Sequence, residues 1–221
     1  MSRISASRIP RLQVVVLARW PAPGRCKSRL AAGIGRRGAA AVQARLVLHV
    51  LAVAREFVSR LRARLEAPSA ELVLAVDGLG RRAARRWGRA VGVDRVVLQG
   101  GGGLGSRLQR QLMRAWREGA RRIVLVGSDL PCLEPGDLAE SFQALEAAPW
   151  VLGPALDGGY WLIGVRQPHP SPFVGPAAPM AWGTAAVLES TLQLAALHGI
   201  SVPLLTWRAD LDLPSDLRRW R

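Results

Sequence analysis

Four stretches carry side chains whose types and spacing could act on one ligand. In 19–35, RWPAPGRCKSRLAAGIG, Lys27 is the chain's single lysine among 31 basic residues, and it stands with Arg29 behind Pro21, Pro23 and Gly24. Such a loop can wrap phosphate, with backbone N–H groups close by and cationic side chains neutralising charge. An ammonium is a compact point charge that a guanidinium does not replace, so arginine at 27 is expected to cost activity and spare stability. In 99–108, QGGGGLGSRL, glycines before a helix permit close backbone approach to a ligand. The stretch 124–133, VLVGSDLPCL, ends an apolar run on Asp129, a position suited to holding Mg²⁺ or Mn²⁺ against a diphosphate. The fourth combines GPALDGGYWLIGV (153–165), with Asp157 ahead of Gly158, Gly159 and Tyr160, and ADLDLPSDL (209–217), with Asp210 and Asp212. Each has an ordinary alternative: an exposed connection, a flexible glycine turn, a turn cap at Asp129, or turn chemistry at Asp210 and Asp212.

These stretches need a scaffold, and the hydrophobic pattern supplies one. Apolar runs at 12–18, 71–77, 95–99 and 121–129 read as strands covered on both faces, and helical segments fall at 36–66, 79–90, 104–119 and 135–147. Alternation of this kind predicts an α/β sandwich with right-handed crossovers, in which ligands gather outside the carboxyl ends of the strands. Beyond 148 the alternation gives way to two strand segments within 150–165, broken at Asp157–Gly159. A proline-rich loop (166–179), a helix near 183–198, a last strand at 201–207 and a helix start at Ser215 or Asp216 follow. Residues 1–11 read as a disordered lead to one domain spanning 12–221.

A net charge of +15 suits a polyanionic partner, but no zinc-finger spacing, aromatic RNA-binding motif or basic zipper accompanies it. No specific nucleic acid is therefore expected. No apolar run reaches the roughly 18 residues of a membrane span, and two cysteines make neither a disulfide framework nor a metal cluster. A cytoplasmic location is the expectation.

Taken in order, PAPGRCKSRL, GGGLGSRL, GSDLP, PALDGGYWLIGV, WGT and DLDLPSDL resemble the pattern of the bacterial family DUF2064, GT-A-like presumptive glycosyltransferases. The resemblance implies the nucleotide-diphospho-sugar transferase fold, a three-layer α/β/α sandwich with a mixed, mostly parallel sheet. It implies that Pro23, Gly24, Lys27 and Arg29 meet nucleotide phosphates and that Gly103, Gly105 and Arg107 line the nucleotide. Asp129 would be the principal ligand of Mg²⁺ or Mn²⁺, with Asp212 and Asp210 on the second metal-facing side. Asp157, with Gly158, Gly159 and Tyr160, would face the acceptor, and Trp182 and Thr184 would line its side. The partners implied are a nucleotide-sugar donor and a small-molecule acceptor. The same motifs fit a nucleotidyltransferase, in which a substrate phosphate attacks an NTP and pyrophosphate leaves.

Overall fold

The structure is a computed structural model that describes residues 11–64, 70–166, 180 and 182–220. Residues 1–10 of the expected lead and 167–179 of the proline-rich loop lie outside the described residues.

Six strands form one sheet: β1 (Arg11–Arg19), β2 (Ala70–Asp77), β3 (Arg95–Leu98), β4 (Ala120–Gly127), β5 (Trp150–Pro154) and β6 (Tyr160–Val165). Their order is β3-β2-β1-β4-β6-β5, parallel except that β6 runs antiparallel to both neighbours. The central strands are apolar throughout because both faces are covered. Val14, Val16, Leu72, Leu74, Val124 and Val126 enter one core, while Val15, Val73, Ala75, Ile123 and Leu125 enter the other.

Helix α1 (Ser28–Arg64) covers the first face through Val47, Val50, Leu51, Ala54, Phe57 and Val58, a three-and-four spacing. It is joined there by α2 (Arg81–Ala90) and α4 (Pro135–Ala147), the latter stacking Phe142 on Phe57 at 5.5 Å. The opposite face takes α3 (Leu104–Arg117) with Leu108, Leu112 and Ala115, and α5 (Val187–Leu197) with Leu188 and Ala195. Three layers result, as the pattern predicts.

Three features depart from expectation. Helix α1 begins at Ser28 and is broken at Gly35 (φ 75°, ψ 160°), so a short first segment carries the end of the lysine loop. The expected strand at 201–207 is no strand. It contributes one isolated parallel bridge beside β5, Leu204 to Leu152, and a second, Arg208 to Ala155, follows just past it. Pro203 has no N–H to donate, and only its carbonyl is used, by the Leu152 amide at 3.1 Å. This edge chain is nevertheless anchored: Arg208 donates to the buried Asp137 of α4 at 2.6 Å. It then turns across the carboxyl ends of the sheet, where the Leu211 amide donates to the Asp129 carbonyl at 3.0 Å. One 3₁₀ turn, Asp216–Arg219, stands in place of the expected C-terminal helix.

Candidate functional site

Strand β1 lies between β2 and β4, so the chain leaves it toward opposite sides and opens a crevice at the carboxyl ends. A cavity of about 720 Å³ occupies this position, a size that suits a nucleotide-scale ligand.

Lys27 organises one end. Its backbone is left-handed (φ 48°), the only such non-glycine residue among those described, and its side chain is 2% exposed. The ammonium donates to the Leu211 carbonyl at 2.6 Å and to Asp212 Oδ1 at 2.9 Å, and lies 3.0 Å from Asp129 Oδ1. Burial alone would lower the lysine pKa, but the Asp129 and Asp212 charges outweigh it and hold the value above normal.

The carboxylates keep a second side open. Asp129 and Asp212 are 47% and 41% exposed, and both line the cavity. Asp129 Oδ1 is enclosed and, apart from the Lys27 ammonium at 3.0 Å, has no hydrogen-bond donor among the described residues. The Asp210 pKa is pushed up to about 6 by burial first, then by the Asp157 and Asp212 charges. Among the described residues no three His, Cys, Asp or Glu side chains converge on a single metal position. The chemistry still fits Mg²⁺ or Mn²⁺ arriving with phosphate, because such ions use few protein ligands and take substrate oxygens for the rest. The under-coordinated Asp129 oxygen and the open side of Asp212 are what such an ion would use.

The adjoining wall is held by backbone packing. Asp157 is exposed, lines the cavity and accepts from the Gly159 amide at 2.9 Å. Gly158 (φ 88°) lies against the next segment so closely that a Cβ would stand 2.1 Å from the Ala185 carbonyl oxygen. Its carbonyl accepts from the Leu188 amide at 2.9 Å, which seats Trp182 and Thr184 at the cavity. Tyr160 meets Trp182 edge to face with centroids 6.1 Å apart, and burial raises its hydroxyl pKa far above normal.

Of the sequence-derived candidates, the cavity gathers Lys27, Arg29, Gly103, Arg107, Asp129 and Asp157. Gly159, Tyr160, Trp182, Thr184, Asp210 and Asp212 line it as well. Pro23, Gly24, Gly105 and Gly158 do not. Gly24 (φ 76°) shapes the loop, Gly105 is buried inside α3, and Gly158 is taken up by the chain itself.

Sequence reasoning missed the opposite end. There Arg19 and Arg107 each approach Asp77 Oδ2 at 2.9 Å. Burial tends to raise the Asp77 pKa, but these guanidinia draw it below normal. Gln99 is buried beside them, donating to the Ala75 carbonyl at 3.0 Å. The clue is positional, since Arg19 and Asp77 are paired across β1 and β2, and it appears only once the register is known. Behind Asp129, Gln43 of α1 donates to Ser128 at 3.2 Å and braces the strand end.

The sequence profile of DUF2064, "Uncharacterized protein conserved in bacteria", matches residues 60–184. No functionally curated protein matches the sequence. Among solved structures, a Desulfovibrio desulfuricans G20 protein provisionally named a nucleotide-diphospho-sugar transferase is 25% identical, with a TM-score of 0.72. That match covers 93% of this chain and 84% of the other. Rv0371c of Mycobacterium tuberculosis H37Rv, solved with manganese, is 21% identical with a TM-score of 0.54, covering 95% and 97%. Glucosyl-3-phosphoglycerate synthase of M. tuberculosis, solved with Mn²⁺, UDP and glucosyl-3-phosphoglycerate, is 16% identical with a TM-score of 0.55, covering 95% and 75%. The fold is that of the nucleotide-diphospho-sugar transferases. Among the described residues no helix is long and apolar enough to cross a membrane.

Proposed function

The chain belongs to the bacterial DUF2064 family, and from that premise we propose that it is a metal-dependent glycosyltransferase, moving a sugar from a nucleotide-diphospho-sugar to a small-molecule acceptor. One observation carries the reading. In a chain of net charge +15, the switch-point cavity is lined by Asp129, Asp157, Asp210 and Asp212, with an ammonium enclosed between Asp129 and Asp212. Four carboxylates repel a bare diphosphate and attract a cation that brings one. The likeness to the D. desulfuricans protein supports the class of donor.

Asp129 and Asp212 would hold Mg²⁺ or Mn²⁺, which when bound neutralises the diphosphate and stabilises it as a leaving group. Lys27 and Arg29 add positive charge at the start of α1. Gly103, whose helix start has no side-chain cap, leaves the first N–H groups of α3 free for the nucleotide, with Arg107 one turn on. Asp157, on the adjoining wall, accepts the proton of the acceptor hydroxyl as that oxygen bonds to the anomeric carbon. The bond from that carbon to the diphosphate breaks, and the nucleoside diphosphate leaves. Trp182 and Tyr160 supply an apolar wall for the acceptor.

Product analysis tests the reading. The protein is incubated with Mn²⁺, nucleotide-diphospho-sugars or NTPs, and a panel of hydroxyl and phosphate acceptors. Release of a nucleoside diphosphate with a glycosylated product supports it. Release of pyrophosphate from an NTP would replace it with nucleotidyl transfer on the same site.

A further inference from the structure

We propose that the Asp129–Asp212 pair is one cation position with two alternative occupants: the Lys27 ammonium in the free protein, and a divalent ion once a nucleotide diphosphate arrives to receive the displaced ammonium. The inference rests on the nucleotide-binding reading above and concerns how that site loads.

The geometry carries it. Lys27 is held by three oxygens within 3.0 Å, and its side chain is 2% exposed. One of those oxygens, Asp129 Oδ1, is the enclosed one that a divalent ion would also take, together with the open side of Asp212. Such an ion would stand at contact distance from the ammonium on that same oxygen, where like charges repel strongly, so the two exclude one another there. Lys27 also sits at the join between the loop and α1, where it holds a left-handed backbone. A long, rotatable side chain at that point can turn from the carboxylates into the cavity, toward a phosphate bound there.

The consequence is coupling. Metal alone must displace an ammonium held by three oxygens and leave it unpaired, and nucleotide alone meets a carboxylate cluster. Together each removes the other's obstacle, and the coupling is reciprocal.

Because Lys27 is the chain's single lysine, its ε-amine can be followed in the wild-type protein by an amine-acylating reagent with peptide mapping. The Lys27 peptide is expected to be protected in the free protein, to react faster in saturating Mn²⁺, and to regain protection when UDP or GDP is added with Mn²⁺. In parallel, Mn²⁺ binding without nucleotide is measured by the loss of the free-ion resonance signal. Lys27→Met, or Lys27→Gln should the first fail to fold, is expected to bind Mn²⁺ about tenfold more tightly than wild type. An acylation rate indifferent to Mn²⁺, or Mn²⁺ affinity unchanged or weakened in the variants, overturns the two-occupant site whatever nucleotide binds. If Mn²⁺ unmasks Lys27 but no nucleotide restores protection, the shared position stands, while its release by a nucleotide and the functional reading both fall.

Discussion

Replacing Gly158 with alanine tests whether the wall opposite Lys27 is built as the structure shows. Alanine at φ 88° pays conformational strain of roughly 1–2 kcal/mol. Its Cβ would also lie 2.1 Å from the Ala185 oxygen and 2.6 Å from the Ala185 Cα, backbone atoms with no flexible end to move aside. Overpacking of that kind costs about 1–3 kcal/mol, so the sum is roughly 2–5 kcal/mol. In a chain of this size each kcal/mol lowers Tm by about 2–4 °C, so thermal unfolding should shift down by roughly 4–20 °C. Gly183→Ala is the control: φ is 84°, but nothing lies within 4 Å of the added carbon, so only the strain remains. A Gly158→Ala transition no lower than that of Gly183→Ala would refute the seating of 182–188 on the Asp157–Gly159 turn.

Further outcomes follow from the same contacts. Gly33→Ala places a carbon 2.4 Å from Pro214 Cγ, so the 211–214 segment must lift, lowering both Tm and the affinity for Mn²⁺ with a nucleotide. Calorimetry of the variant checks both. Asp212→Asn removes one of two carboxylates from an enclosed ammonium; because Asp212 is half exposed, denaturant unfolding should show a loss of about 1–2 kcal/mol. At the far end of the sheet, burial tends to raise the Glu71 pKa, but Arg95, Arg11 and Gln13 hold it below normal. A depressed carboxylate stabilises the fold above its unfolded pKa and loses that contribution as pH falls through the folded value. Wild type should therefore lose stability faster than Glu71→Gln between about pH 4.5 and 3, a difference read by unfolding at each pH.

The layers were legible because strands buried on both faces cannot alternate with polar residues. The runs at 12–18 and 71–77 therefore marked β1 and β2, and the arginine-flanked helices fell between them. The crevice was legible because Asp129 and the lysine loop each follow such a strand. What the sequence concealed lies in contacts made across long separations. Lys27 reads as a loop cation facing phosphate, since nothing near it announces that Leu211 and Asp212 return to enclose it. Arg19, Asp77 and Arg107 meet only through strand register and the start of α3. Gly158 reads as room for a ligand and proves to be room for Ala185. The 201–207 stretch has a strand's composition, but Pro203 and an edge position limit it to the single bridge at Leu204.

The central claim is that Asp129 and its neighbours bind a nucleotide diphosphate through a divalent ion. The most direct measurement is a calorimetric titration of wild-type protein and Asp129→Asn with UDP, GDP, ADP and TDP, with and without Mn²⁺. The account predicts that at least one of them binds wild type only when Mn²⁺ is present and fails to bind the variant. Binding that is indifferent to both Mn²⁺ and Asp129, or no binding by any of the four, would contradict it.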